Sequence, residues 1–73
     1  MKTIEYFQSR IDELLEDRQY YEGELKGIGP DPKNPVWAMV QIKNFKKLIR
    51  ECETGIAHYK KGIIALTRVI EAA

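Results

Sequence analysis

Arg68 stands beside Thr67 in the most apolar part of the chain, Lys61 to Ala73. A guanidinium there could meet a phosphate, because its planar fork pairs with two oxygens at once, and the neighbouring hydroxyl could add a hydrogen bond. Tyr6 and Tyr20 lie fourteen residues apart on the flank of one helix. They could present flat rings to a base or to a partner, or pack against another copy of the chain. Lys43, Lys46, Lys47 and Arg50 form one basic cluster, and Lys60, Lys61 and Arg68 form another. Such clusters serve either an anion or a solvated face. Cys52 is the single cysteine and His58 the single histidine. One of each does not make a zinc site within one chain, so no metal is expected. Cys52 falls on an apolar seam and reads as a small buried residue.

Motifs of catalysis are missing. GIGP at residues 27–30 is not followed by the Lys-Ser/Thr of a phosphate loop. There is no nucleophile elbow and no paired-histidine helix motif. RIDELLEDR at residues 10–18 resembles the first helix of helical chorismate mutases. Those enzymes have more helices and further Arg and Lys at set places, which have no counterpart here. The reading is a binding protein with no cofactor, not an enzyme.

These side chains must be positioned by helices. Ile42, Ile49, Ile56, Ile63 and Ile70 recur every seven residues, and Phe45, Cys52, Tyr59 and Leu66 follow each of the first four by three. That alternation is the a/d seam of a coiled coil. Ile4, Phe7, Ile11, Leu14, Arg18, Tyr21, Leu25 and Ile28 keep the same spacing in an otherwise polar segment. Arg18 on that seam either snorkels or pairs with Glu22, Glu51 or Glu53, and so specifies register. Thr3 is the expected N-cap of a first helix over residues 4–26. Residues 27–34 (GIGPDPKN) form a turn, with Gly27 and Gly29 tolerant of the left-handed conformation that ends helices. Asn34 caps a second helix over residues 35–72, with Pro35 at its first position. The fold class is all-α: one domain over residues 1–73, an antiparallel two-helix hairpin with a long second helix.

At 1.5 Å per residue the helices measure roughly 35 and 55 Å. The first should run out near residues 58–60 of the second. The overhang from Lys61 is too apolar to be left in water, so it should pack against other copies through Ile56, Ile63, Leu66 and Ile70. Gly55 and Gly62 flank the seam. Glycine inside a helix costs about 1 kcal/mol relative to alanine, which points to a close approach by a backbone or a ligand. At 73 residues a single core is marginal without such help.

Charge is segregated. Residues 1–35 carry five basic and eight acidic side chains, and residues 36–73 carry seven and three. The net charge of +1 gives no global field to recruit a DNA or RNA duplex or an acidic membrane. No run approaches the ~18 apolar residues of a membrane span. Met1 to Phe7 lacks the pattern of a signal peptide, and a single cysteine fits a reducing compartment, so a cytoplasmic location is expected.

The run Gly62-Ile63-Ile64-Ala65-Leu66-Thr67-Arg68-Val69-Ile70 resembles the closing helix of the phage anti-CBASS and anti-Thoeris helical-hairpin nucleotide sponges. Those proteins also carry a proline turn followed by tryptophan, as Pro35-Val36-Trp37 does here. Trp37 stands farther from Gly62 than in the family pattern by two heptads, which lengthens the helix and keeps the seam. The resemblance implies a homo-oligomer, a hexamer of packed hairpins. It implies sequestration of cyclic di- or trinucleotide messengers without cleavage, in a host cell's cytoplasm. By motif it places Gly62, Thr67 and Arg68 at the ligand. By residue type it adds Tyr6 and Lys26. The alternative is a protein-binding hairpin that inhibits or adapts a host or phage protein through the same seam.

Overall fold

The computed structural model describes residues 3–28 and 33–72. Both helices begin on side-chain caps. Thr3 is extended (φ −93°, ψ 166°), and its hydroxyl accepts the Tyr6 backbone N–H at 3.2 Å. Asn34 Oδ1 accepts the Trp37 N–H at 3.1 Å. Each cap satisfies a donor that the helix cannot. Helix α1 is Ile4–Gly27 and helix α2 is Pro35–Ala72.

The end of α1 differs slightly from expectation. Gly27 is still helical, and the cap is Ile28, which leaves in an extended conformation (φ −88°, ψ 96°). Its N–H donates to the Leu25 carbonyl at 3.2 Å, tightening the last turn. Among the described residues no glycine has a positive φ. The Gly29 part of the expected turn lies outside the described residues.

The helices run antiparallel. Tyr21 meets Phe45, Leu14 meets Gly55, and Phe7 meets both Tyr59 and Gly62. This register corrects the expected overhang. The first turn of α2 extends past the end of α1, so α1 reaches about one turn farther along α2 than residues 58–60. Ile63 and Leu66 are consequently half-buried. The molecule measures 62 × 16 × 14 Å.

Two helices can cover only one stripe of each other, and the core is thin. Ile11, Ala38, Cys52 and Ile56 are buried, and no large side chain is fully enclosed among the described residues. Apolar residues remain exposed at both ends of α2: Val36, Trp37, Met39 and Val40 at its start, Ile64, Val69 and Ile70 at its end. No described helix is long and apolar enough to cross a membrane.

Candidate functional site

The end of the hairpin near Gly62 is built from aromatic rings. Tyr6 meets Phe7 edge to face at 5.6 Å between centroids, Phe7 meets Tyr59 at 5.8 Å, and Tyr59 meets His58 at 5.6 Å. Arg10 lies over the Tyr59 ring at 5.8 Å and points its Nε at the Tyr59 hydroxyl at 3.5 Å. It also pairs with Glu13. The hydrogen bond to Tyr59, and then the Glu13 carboxylate, push the Arg10 pKa further up. Arg10 therefore carries a fixed positive charge beside Tyr59. Sequence reasoning passed over Arg10, because it lies one position off the seam and outside both basic clusters.

Gly62 joins this cluster through Phe7. A Cβ on Gly62 would stand 3.3 Å from Phe7 Cζ. A Cβ on Gly55 would stand 2.9 Å from Leu14 Cδ1. The close approaches at both glycines thus come from α1 within the same chain. Tyr6 is on the rim of the cluster, 38% exposed.

Beyond it, the Thr67 hydroxyl donates to the Ile63 carbonyl at 2.8 Å, so its proton is already committed. Arg68 is exposed and has no ion-pair partner among the described residues. Ile64, Val69 and Ile70, each within four residues of it along α2, are exposed too. The fold therefore gathers Tyr6, Gly62, Thr67 and Arg68 at one end of the hairpin. Lys26 is exposed at the other end, some twenty residues or about 30 Å along α1 from Tyr6.

The residues named for an oligomer interface divide by exposure. Ile56 is 6% exposed within the single hairpin, leaving little for another copy. Ile63 and Leu66 are half-covered, and Ile70 is 62% exposed. Arg18 bridges Glu22 at 3.7 Å, one of the pairings its position allowed. Cys52 is buried. Burial pushes its thiol pKa up, Asp17 and Glu51 add to the rise, and Arg18 opposes it. Burial of this kind disfavours the thiolate, which is the reactive form of cysteine. Among the described residues no group of His, Cys, Asp or Glu is placed to hold a metal.

An open groove of about 770 Å³ runs along one side of the hairpin. Leu25, Met39, Ile42 and Ile49 form its apolar floor. Lys43, Lys46 and Arg50, three of the four cations of the first basic cluster, line it with Glu22 and Glu53. Sequence reasoning found the cations but not their shared cavity.

The chain matches no protein-family model, no curated protein and no solved structure.

Proposed function

We propose that this chain is a non-catalytic, self-associating helical hairpin that sequesters cyclic di- or trinucleotide messengers at a junction between copies, in the cytoplasm. One observation carries the reading. Arg68 is an exposed guanidinium without an ion-pair partner among the described residues, set among exposed apolar side chains. A cation close along the helix to exposed apolar side chains suits an anion that also has faces to bury, and a nucleotide has both. Tyr6 supplies a ring for stacking at the same end. The apolar residues around Arg68 are the surface on which copies meet. Lys26 is too distant to serve the same pocket within one chain, so in this reading it comes from a second copy. The hexamer and the cyclic ligand rest on the resemblance of residues 62–70 to the phage sponges.

Native mass spectrometry tests the reading, on the protein alone and after incubation with a panel of cyclic di- and trinucleotides. A defined oligomer that gains whole ligands at a fixed ratio supports it. Arg68→Ala should abolish that gain while oligomer mass and helicity stay unchanged. An oligomer indifferent to every nucleotide overturns it.

A second reading is a hairpin that docks on a protein target. The exposed Val36, Trp37, Met39 and Val40 at the start of α2 favour it. A tryptophan in an exposed apolar patch is a common anchor of protein interfaces.

A further inference from the structure

The groove has two properties that select its occupant. Its charges are of both signs, with Lys43, Lys46 and Arg50 lining it together with Glu22 and Glu53. A polyanion would meet the two carboxylates, whereas a surface that itself carries both signs would not be repelled. The groove also lies on a longer stripe of α2. Val36 and Ile64 are 28 residues apart, four heptads, and so hold the same position in the heptad, each one residue after the line of seam isoleucines. They are 69% and 53% exposed. Arg50 stands midway between them.

A stripe with an apolar residue at each end and charges between is complementary to its own reverse. If two copies of α2 lie antiparallel about a two-fold axis at Arg50, Val36 of each meets Ile64 of the other. Lys46 and Glu53 are one heptad apart, and their midpoint falls between Ile49 and Arg50, half a residue from that axis. Each Lys46 then opposes Glu53 of the second copy, and that carboxylate also lies within one turn of Arg50, offsetting the approach of the two guanidiniums. The apolar floor between them, Met39, Ile42 and Ile49, is covered along its length. A two-fold contact of this kind repeats every interaction twice.

We propose that the groove is the seat of a second copy of this chain, packed antiparallel through α2 with the two-fold axis at Arg50. The inference rests on the self-association in the functional reading above and gives it a register. The intrachain pairing sets Lys26 near the level of residue 41 of its own α2. The two-fold carries that level to about residue 59 of the other copy. Lys26 of one chain thereby arrives within about one helical turn of the level of Tyr6 in its neighbour. The ligand site assigned to Tyr6 and Lys26 is then complete only in the pair.

Disulfide trapping in the full chain tests the register, with Cys52→Ala as background so that the reporters are the only thiols. Arg50→Cys should link to itself under mild oxidation. Val36→Cys and Ile64→Cys should each fail to self-link, and their mixture should give the mixed dimer. Self-linking of Val36→Cys or Ile64→Cys in preference to the mixed product overturns the antiparallel arrangement. A charge test stands beside it: Lys46→Glu should weaken assembly about tenfold, and adding Glu53→Lys should restore it. Failure of the double variant to recover, with helicity intact, also overturns the register. Native mass spectrometry separates the two levels. An oligomer that shows none of these links removes the register alone. A strictly monomeric protein removes the functional reading with it.

Discussion

Leu14 occupies the space that a side chain on Gly55 would need. A Cβ there would lie 2.9 Å from Leu14 Cδ1, closer than packed carbons come. The helix gives up intrinsic stability at Gly55 to seat a leucine from its neighbour. Gly23 offers the control, since nothing lies within 4 Å of its added Cβ. Gly23→Ala should stabilise by about 0.5–1 kcal/mol through helix propensity. Gly55→Ala should lose that gain to overpacking and end at or below the parent. Urea unfolding followed by circular dichroism, at one protein concentration, compares the two directly. Equal stabilisation by both would show that Leu14 moves aside freely.

Core and surface isoleucines should separate cleanly. Ile11 is buried against α2, and Ile11→Ala should cost about 2–4 kcal/mol, a large share of what so small a domain holds. Ile70 is 62% exposed in the hairpin. Ile70→Asp should leave helicity in place and shift the native mass distribution toward smaller species.

The cap of α2 has a defined worth. Asn34→Ala should cost about 1 kcal/mol by orphaning the Trp37 N–H, and Asn34→Gly only a few tenths. Thermal unfolding of the two variants resolves the difference.

Tyr59 contributes through its ring more than its hydroxyl. Tyr59→Phe keeps the contacts with Phe7 and His58 and should unfold near the parent temperature, because the Arg10 contact is long, at 3.5 Å, and only partly buried. Tyr59→Ala removes the ring and should cost about 2 kcal/mol.

Alkaline stability should carry the mark of Cys52. Its folded pKa is raised above the usual thiol value by burial. The folded state therefore binds more protons than the unfolded state once pH exceeds about 8.5. Stability is full below that point and declines as pH rises from there toward the folded pKa. Cys52→Ala should remove this part of the decline, read as the difference between the two proteins' unfolding midpoints across pH 7.5–10. Superimposable pH profiles would mean that the thiol ionises as easily in the hairpin as outside it.

The helices were readable because their signals are local. The isoleucine repeat makes α2, Asn34-Pro35 starts it, and Thr3 starts α1, each at the position found. Register was not readable. A seam names which residues face inward but not how far one helix slides along the other, and the slide decided that Phe7 reaches Gly62. For the same reason the sequence pointed to Gly62 as a place of close approach without naming Phe7. The groove escaped notice because its floor takes Leu25 from one helix and Met39 from the other. Arg68 was legible as a cation in apolar surroundings, a property of its neighbours in sequence. Arg10 was not, since its meaning depends on Tyr59, forty-nine positions away.

The thinness of the core has a consequence for the life of the protein in a cell. With only Ile11, Ala38, Cys52 and Ile56 buried among the described residues, a solitary hairpin should open often, and proteases act on the open form. If copies assemble as proposed, a copy seated against others is spared while it stays seated. Turnover should then depend on dose. Molecules made sparsely are degraded before they meet, and molecules made in a burst survive together. A protein that works by stoichiometric capture would gain a sharp threshold of accumulation from nothing more than an underfilled interior.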